Sequence, residues 1–403
     1  MNVRQEVLAH GHREGNRMRR VSVVGVGCTR FGKLSGRSVK ELALEACREA
    51  LADAGVAPHQ VEAFYLSNFA GGTLARQEML APIVAGALGL GSIPATRVEG
   101  ACASGGIALR LGFLMIASGV CDVALVAGVE KMTEASTEEV TAALSAAADR
   151  QAEGSTGLTF PGFFAAVAHR YMHEHGATPD HLAAVALKNR ANAQRNPRAH
   201  FYGKPASLDE IRQSRLVADP LRLYDCSPIS DGACAVVLVA SERVQEFTGR
   251  PVDILGSGQA TGSTTLQEMD DLCSLEAVVQ AARQAYEQAG VGPEEVDVAE
   301  VHDCFSIAEL IALEDLGLMP RGEAGPRTAA GETRVGGRVA VNPSGGLLSK
   351  GHPIGATGLA QVFEIVRQLR GEADNPVPNA RIGLTHNVGG TGGVATVHIF
   401  GAR

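Results

Sequence analysis

The chain has 403 residues, more than one ordinary hydrophobic core accommodates, which predicts two domains or one large layered unit. Hydrophobic residues make up 45% of it, so a disordered chain is excluded. The formal net charge of −8 argues against a general nucleic-acid-binding surface. No stretch reaches the ~18 uninterrupted apolar residues of a membrane span, and the first residues lack an apolar signal-peptide core. We therefore expect a cytoplasmic protein with neither nucleic acid nor membrane as a partner.

The cysteines form no C-x-x-C pair, and their spacing fits neither a zinc site nor a secreted disulfide framework. Free thiols in a reducing compartment and no bound metal are therefore predicted. The eight cysteines are Cys28, Cys47, Cys102, Cys121, Cys226, Cys234, Cys273 and Cys304.

Strand and helix patterns alternate along the first part of the chain. Short apolar runs rich in β-branched residues predict buried strands, and apolar residues at helical spacing predict the helices between them. Strands are predicted at 21–27, 61–67, 96–100, 123–128 and 234–240, and helices at 39–55, 77–90 and 104–119.

The same rhythm returns in the second part of the chain, which predicts two similar halves. Strands are predicted at 252–256, 296–301, 337–341, 381–386 and 395–400, and helices at 275–289, 307–318 and 355–369. Strand–helix alternation favours parallel sheets covered by helices. Two such halves packed together would form a five-layered αβαβα fold, with two central helices buried between the sheets.

The stretch 131–226 does not follow the repeat and predicts a helical insertion in the first half, with helices at 163–175 and 181–195. Between residues 188 and 222 basic residues outnumber acidic ones, which is either a solvated helical surface or a local field that attracts the phosphates of a cofactor. These basic residues are Lys188, Arg190, Arg195, Arg198, Lys204, Arg212, Arg215 and Arg222.

These patterns predict four regions along the chain. An N-terminal extension occupies 1–20, and the first half of the repeat occupies 21–130 and 227–250. The inserted segment is 131–226, and the second half is 251–403.

Cys102 lies in a small-residue turn between a predicted strand and a buried helix. The positive end of that helix favours a thiolate, and backbone N–H groups at the turn can stabilise an oxyanion. A lone cysteine in apolar surroundings is also compatible with simple packing.

Three further motifs combine reactive side chains with turn residues. The sequence 300–305 places His302 two residues before Cys304 at the end of a strand, which favours a site over metal binding or a structural role. His352 lies in a glycine-rich loop before a helix and is suited to activating a thiol. The glycine run at 386–393 is either a tight hairpin or a close approach of backbone to substrate.

All four motifs follow predicted strands at equivalent ends, and Cys102 and His352 occupy matching places in the two halves. Ligands of open parallel sheets bind at the carboxyl ends of the strands. We therefore expect these motifs to meet in one site.

The motifs resemble the thiolase superfamily over nearly the whole chain. Cys102-Ala103-Ser104, His302-Asp303-Cys304-Phe305, Gly351-His352-Pro353 and His386-Asn387-Val388-Gly389 occur in family order and spacing. Common thiolases have Asn-Glu-Ala-Phe at 302–305 and Cys-x-Gly at 387–389. Both departures are similar to the branch of sterol carrier protein x and the archaeal acetoacetyl-CoA thiolases.

The resemblance implies a thiolase-like fold and a reversible Claisen condensation through an acyl-cysteine. His352 would activate Cys102, and Cys304 would serve as the acid/base because Asn387 replaces the usual cysteine. His302 and His352 would form one oxyanion hole. The N–H groups of Cys102 and Gly389 would form the other.

The resemblance also implies coenzyme A thioesters as substrates, no permanently bound cofactor, and a homodimer or homotetramer. Arg198, Lys204 and Arg222 are predicted to contact coenzyme A phosphates. A complex with a small OB-fold protein and a 3-hydroxy-3-methylglutaryl-CoA synthase is a further expectation. A thiolase-like retro-aldolase acting on a side-chain acyl-CoA and a non-catalytic acyl-CoA-binding scaffold remain alternatives.

Overall fold

The computed structural model describes residues 18–247 and 250–403, so most of the predicted N-terminal extension at 1–20 lies outside the described residues. The described strands are β1 Val21–Cys28, β2 Ala63–Ser67, β3 Ala95–Val98, β4 Val123–Glu130, β5 Leu216–Ala218, β6 Leu221–Arg222, β7 Gly232–Ala240, β8 Val252–Thr261, β9 Val298–Glu300, β10 Ala340–Val341, β11 Ile382–Gly389 and β12 Val394–Ala402.

The helices follow the pattern expected from the apolar spacing, with further short ones in the connections. They are α1 Val39–Ala54, α2 Gly71–Leu74, α3 Leu80–Leu88, α4 Ser104–Ala117, α5 Thr137–Ser145, α6 Phe160–His175, α7 Pro179–Ala193, α8 Leu208–Gln213, α9 Glu276–Ala289, α10 Ser306–Asp315, α11 Ala324–Ala329, α12 Gly346–Lys350 and α13 Thr357–Arg370.

Ten strands form one continuous sheet in the order β10-β9-β11-β12-β8-β1-β7-β4-β2-β3. Counted outward from the centre, β8, β12, β11, β9 and β10 of the second half correspond to β1, β7, β4, β2 and β3 of the first half. The corresponding strands of the two halves therefore follow the same order, both along the chain and in the sheet. The halves meet at β1 and β8, where Val21, Ser22 and Val23 pair with Ile254, Asp253 and Val252. The repeat predicted from the sequence therefore appears as an internal pseudo-symmetry of the sheet.

The sheet is mixed, which corrects the expectation of parallel sheets. β2 pairs in parallel with β3 and β4, and β9 with β10 and β11. β7 and β12 run antiparallel to both of their neighbours. The reason for β12 is its short connection from β11, because a tight hairpin can join only antiparallel strands.

Helices and strands alternate in layers, as expected for the αβαβα fold. Helices α1 and α3 cover the outer face of the first half, and α9 and α10 cover the outer face of the second. Helices α4 and α13 lie between the halves and share one apolar core with residues of both. Most residues of α13 are buried, as expected for a helix packed between the two halves.

The two central helices approach each other most closely where neither has a side chain. A Cβ added at Gly105 would lie 2.8 Å from the backbone nitrogen of Gly358, and one added at Gly358 would lie 2.4 Å from the nitrogen of Gly106. Such distances exclude any residue other than glycine without a backbone shift. The N-terminal ends of α4 and α13 are thereby brought together at the centre of the protein.

Cys28 and Cys234 are joined by a disulfide, and they lie directly opposite each other in the antiparallel pair of β1 and β7. The prediction of eight free thiols is therefore wrong for these two residues. Strand pairing across 206 residues creates the contact, and spacing along the chain gives no sign of it. The other six cysteines, including Cys102 and Cys304, are free.

Within residues 18–247 and 250–403, no helix combines the length and the apolar character needed to cross a membrane.

We predict that Gly358→Ala lowers the free energy of unfolding by about 3 kcal/mol, because the new methyl group overlaps the backbone of α4. Gly86→Ala is the matched control. Gly86 lies in α3 with open space around its Cα, so alanine should raise stability by ~0.5–1 kcal/mol. Urea unfolding followed by circular dichroism measures both, and equal effects would contradict the close contact of the central helices.

Candidate active site

A strained turn carries the chain from β3 through Cys102 into α4. Glu99 Oε1 accepts the N–H of Ala101 at 2.7 Å, and Ser104 Oγ donates to the carbonyl of Ala101 at 2.5 Å. Ala101 has a φ of 49°, in the left-handed region that alanine rarely adopts. These hydrogen bonds fix a turn from which Cys102 lines an internal cavity.

The Cys102 thiol is surrounded mainly by apolar groups, including Val140 and Ile354. Burial raises the pKa of Cys102 to about 12, and the backbone N–H of Gly390 near the sulfur offsets only part of this effect. In the resting protein burial thus opposes the thiolate that the helix end was expected to favour. Desolvation of the charged sulfur is the larger effect.

Gly389 packs against the turn that carries Cys102. A Cβ at Gly389 would lie 2.4 Å from the carbonyl oxygen of Gly100, so this contact also requires glycine. The N–H that interacts with the Cys102 sulfur belongs to Gly390, and Gly390 lines the cavity. The structure thus brings the predicted glycine run to Cys102, with Gly389 against the turn and Gly390 at the sulfur.

His352 lies on the loop between α12 and α13. Its Nδ1 is 2.7 Å from Thr357 Oγ1, and its Nε2 is buried without a hydrogen-bond partner among the described residues. Burial lowers the pKa of His352 to about 3. The imidazole is therefore neutral at pH 7, with one ring nitrogen free to act in the cavity.

His302 lies on the loop between β9 and α10 and is almost completely buried. Its Nδ1 is 3.0 Å from Asn387 Nδ2, and its backbone N–H donates to His386 Nδ1 at 3.3 Å. Burial holds the pKa of His302 well below its ordinary value, and the nearby imidazoles of His352 and His386 lower it further. The rings of His302 and His352 meet edge to face, with centroids 5.1 Å apart.

Cys304 lines the same cavity as Cys102. Burial raises the pKa of Cys304 well above its ordinary value, and Cys102 raises it further by its proximity. The sulfur of Cys102 and one ring nitrogen each of His302 and His352 lie within 4.8 Å of one another. The structure therefore brings together in one cavity four residues that the sequence placed in three separate motifs.

One thiol and two imidazoles at this spacing form a donor set that suits a zinc ion. The sequence assigns the same three residues, Cys102, His302 and His352, to acyl transfer. That the protein binds no metal stays a prediction.

Asp303 belongs to a buried network behind the cavity. It accepts the N–H groups of Leu347 and Leu348 at 2.7 and 3.3 Å. Asn189 of α7 bridges Asp303 and Glu309 with bonds of 2.7 and 2.8 Å. The network ties the loop of His302 and Cys304 to α12 and to the inserted segment. Sequence analysis missed Asn189, because a single amide in a helix gives no signal of burial.

The basic stretch 188–222 is not one exposed field. Lys188 is buried and forms an ion pair with Glu309 at 2.8 Å. Arg190 is also buried, and its guanidinium carbon lies 3.8 Å from the centroid of the Phe201 ring. Lys188 therefore joins the inserted segment to the second half, whereas Arg190 packs within the inserted segment.

None of the three predicted coenzyme A contacts lines the cavity at Cys102. Arg198 pairs with Glu49 at 2.7 Å, and Arg222 donates to the Ser214 carbonyl at 2.6 Å, so both have partners within the protein. Lys204 is exposed. Of the three, the contacts leave Lys204 as the residue best able to meet a phosphate.

The cavity at Cys102 has a volume of about 190 Å³ and mostly apolar walls. Helices α5 and α6 of the inserted segment contribute Val140, Leu144, Phe160 and Phe164, and Phe69 lies on the wall from the first half. Sequence analysis missed these residues because apolar positions in short helices are typical of packing. The inserted segment therefore shapes the space in front of the reactive sulfur.

Two family models match the chain. The model of the thiolase N-terminal domain covers residues 21–242, and the model described as thiolase C-terminal domain-like covers residues 258–402.

Several curated relatives are similar over almost the whole chain. An acetyl-CoA acetyltransferase from Methanothermobacter thermautotrophicus is 47% identical, with 95% of this chain and 100% of the relative covered. Sterol carrier protein 2 from Bos taurus is 37% identical, with 94% and 72% covered. Benzoylsuccinyl-CoA thiolase subunit BbsB from Thauera aromatica is 38% identical, with 92% and 95% covered. These relatives confirm the branch inferred from the motifs.

Solved structures also match the chain over almost its whole length. A structure described as Ltp2-ChsH2(DUF35) aldolase matches with a TM-score of 0.83 and 28% identity, covering 95% of this chain and 98% of that one. Human mitochondrial 3-ketoacyl-CoA thiolase in complex with CoA matches with a TM-score of 0.73 and 18% identity, covering 96% and 99%, which supports the fold alone. With family models spanning most of its length and relatives well above 30% identity, the chain belongs to the thiolase family.

Proposed function

We propose that the chain catalyses the reversible condensation of two acetyl-CoA molecules to acetoacetyl-CoA, or the thiolytic cleavage of a 3-ketoacyl-CoA, through an acyl-cysteine at Cys102. The observation that carries this proposal is the cluster in the cavity, where the Cys102 sulfur lies within 4.8 Å of ring nitrogens of His302 and His352 and shares the cavity with Cys304. The similarity to archaeal acetyl-CoA acetyltransferases supports the acetyl group as substrate.

In the first step His352 acts as the base. Both Cys102 and His352 are neutral at rest, and the unpartnered Nε2 of His352 is available to take the thiol proton. The thiolate attacks the thioester carbon, coenzyme A leaves as a thiol with the proton that His352 has taken, and the acyl group stays on the sulfur. A neutral resting pair avoids two separated charges in an apolar cavity until the substrate is present.

In the second step His352 takes the thiol proton of Cys304, and the Cys304 thiolate acts as the base toward the methyl group of a second acetyl-CoA. Asn387, at the position of the base in common thiolases, cannot titrate, whereas Cys304 lies beside Cys102 in the cavity. The resulting enolate attacks the acyl group on Cys102 and forms the new carbon–carbon bond, while the bond from the acyl carbon to the Cys102 sulfur breaks and the sulfur regains a proton from His352. Splitting the reaction between two thiols separates acyl storage from proton transfer.

Developing negative charge on the thioester oxygens needs donors at two places. His302 and the protonated form of His352, which carries at Nε2 the proton taken from a thiol, are proposed for the enolate oxygen. The backbone N–H of Cys102 with the Gly389–Gly390 turn is proposed for the acyl-cysteine oxygen. The position of Gly390 beside the sulfur supports the second assignment. One such donor is typically worth about 3 kcal/mol of transition-state stabilisation.

A retro-aldolase acting on a side-chain acyl-CoA is the second candidate, because the aldolase structure matches this chain with a TM-score of 0.83. Purified protein mixed with acetoacetyl-CoA and free coenzyme A separates the candidates. Loss of the enolate absorbance with formation of acetyl-CoA supports the thiolase. Binding without turnover supports a non-catalytic scaffold, and cleavage only of a 3-hydroxyacyl-CoA supports the aldolase.

Substrate contacts and assembly extend this proposal. Coenzyme A thioesters would be substrates, with no permanent cofactor, and Lys204 is the residue we propose for a phosphate contact. A homodimer or homotetramer is proposed from family membership. The complex with an OB-fold protein and a 3-hydroxy-3-methylglutaryl-CoA synthase, the boundaries of the inserted domain, and a cytoplasmic location stay predictions.

We predict that Cys102→Ala abolishes acyl-enzyme formation, because the Cys102 sulfur is the atom that lies close to ring nitrogens of both His302 and His352. Intact-protein mass spectrometry after incubation with acetyl-CoA reports the acyl adduct directly. Cys121→Ala, which removes a thiol outside the cavity, should acylate like the unchanged protein. An undiminished adduct on Cys102→Ala would assign the nucleophile to another residue.

We predict that Cys304→Ala still forms the acyl-enzyme but condenses ~10²–10⁴-fold more slowly, since only the proton transfer to and from the acetyl methyl group is lost. Acylation is followed by mass spectrometry, and condensation by appearance of acetoacetyl-CoA. Full turnover by this variant would show that Cys304 is not the base.

The pKa values predict how alkylation of Cys102 depends on pH. With a thiol pKa raised to about 12 and the His352 pKa lowered to about 3, the proton stays on sulfur between these values. The thiolate fraction, and with it the rate of labelling by iodoacetamide, should rise roughly tenfold per pH unit from pH 6 to 10. Peptide mass spectrometry measures this rate, and a rate independent of pH in this range would indicate a preformed thiolate–imidazolium pair.

A further inference from the structure

We propose that Thr357 and Asn387 are positioning residues that hold His352 and His302 in opposite neutral tautomers. His352 then presents a lone pair at Nε2, whereas His302 presents an N–H at Nε2. This inference rests on the proposed function for its catalytic meaning, but the tautomers themselves follow from hydrogen bonds of the protein alone.

Thr357 determines the tautomer of His352. Its hydroxyl oxygen lies 3.0 Å from the carbonyl oxygen of Pro353, which can only accept, and we assign the single hydroxyl proton to that bond. The hydroxyl oxygen can therefore only accept from His352 Nδ1, which lies 2.7 Å away. Nδ1 of His352 must carry the proton, and Nε2 is left as the acceptor without a partner.

Asn387 determines the tautomer of His302 through a third group. The backbone N–H of Gly106 donates at 3.3 Å to Asn387 Oδ1, which fixes the orientation of the amide because a backbone N–H cannot accept. Asn387 Nδ2 is therefore the atom facing His302 Nδ1, at 3.0 Å. The amide donates this hydrogen bond, Nδ1 accepts it, and the proton of His302 lies on Nε2.

Both rings are neutral at pH 7, because burial lowers the pKa of each. A neutral imidazole has one donor and one acceptor nitrogen, so the tautomer alone decides which of them faces the cavity. The same atom, Nε2, thus has opposite polarity in the two histidines. The acceptor Nε2 of His352 suits removal of the Cys102 proton, and the donor Nε2–H of His302 suits a developing oxyanion.

The anchors lie on different elements from the histidines that they hold. Thr357 is the first residue of α13, and Asn387 lies in β11, where Gly106 of α4 fixes it. The N-terminal ends of the two central helices therefore set the proton positions in the cavity as well as its shape.

Thr357→Val removes the acceptor but keeps the shape of the side chain. His352 Nδ1–H would then be buried without a partner, so the other tautomer becomes favoured and Nε2 can no longer accept the thiol proton. We expect the rate constant for acylation of Cys102 to fall roughly 10- to 100-fold, with little change in KM for acetyl-CoA.

Thr357→Ser keeps the hydroxyl and should restore acylation to within about threefold of the unchanged protein. Thr333→Val is the matched control, because Thr333 is equally buried and its hydroxyl has no partner among the described residues. It should acylate like the unchanged protein. Acylation by Thr357→Val at the unchanged rate, or by Thr357→Ser as slowly as by Thr357→Val, would overturn the role of Thr357.

Neutron diffraction from deuterium-exchanged crystals of the unchanged protein tests both tautomers without any assay. We expect deuterium on Nδ1 of His352 and on Nε2 of His302. Deuterium on Nε2 of His352, or on Nδ1 of His302, would overturn the proposal even if the enzyme is active. The expected positions in a protein that lacks thiolase turnover would instead contradict the proposed function and leave the tautomers standing.

Discussion

The contact between the two central helices is the constraint on which the site depends. Gly105 of α4 and Gly358 of α13 allow the helices to touch backbone to backbone between the two halves. Cys102 precedes one of these helices and His352 precedes the other, so the contact sets the separation of nucleophile and base. A wider spacing of the helices would leave both residues intact but out of reach of each other.

Burial determines the charge state of everything that meets there. The thiols of Cys102 and Cys304 are held in the neutral form, and so are the imidazoles of His302 and His352. The reaction in such a cavity begins from uncharged side chains, and a thiolate and an imidazolium form only when the substrate is present. The hydrogen-bond partners of the two rings, rather than neighbouring carboxylates, then decide where each proton lies.

Much of this could be predicted from the sequence, because local patterns encode local structure. Small-residue turns located Cys102 and His352, and a histidine close to a cysteine at the end of a predicted strand located His302 and Cys304. The repeated strand–helix rhythm predicted the layers. Features that depend on pairing between distant segments were beyond reach. These include the antiparallel pairing of β7 with β1, the disulfide of Cys28, and the buried ion pair of Lys188. A count of charges along the sequence treats Lys188 as a solvated cation.

The internal symmetry of the strand order bears on why the nucleophile and its base lie in different halves of the chain. Cys102 and His352 sit at corresponding points of the two repeats. In an ancestor assembled from two identical copies, whatever residue stood at that point would have faced its own duplicate across the axis. The present chain has a thiol at one of these points and an imidazole at the other, so the proposed reaction depends on a place where the two halves differ in chemistry.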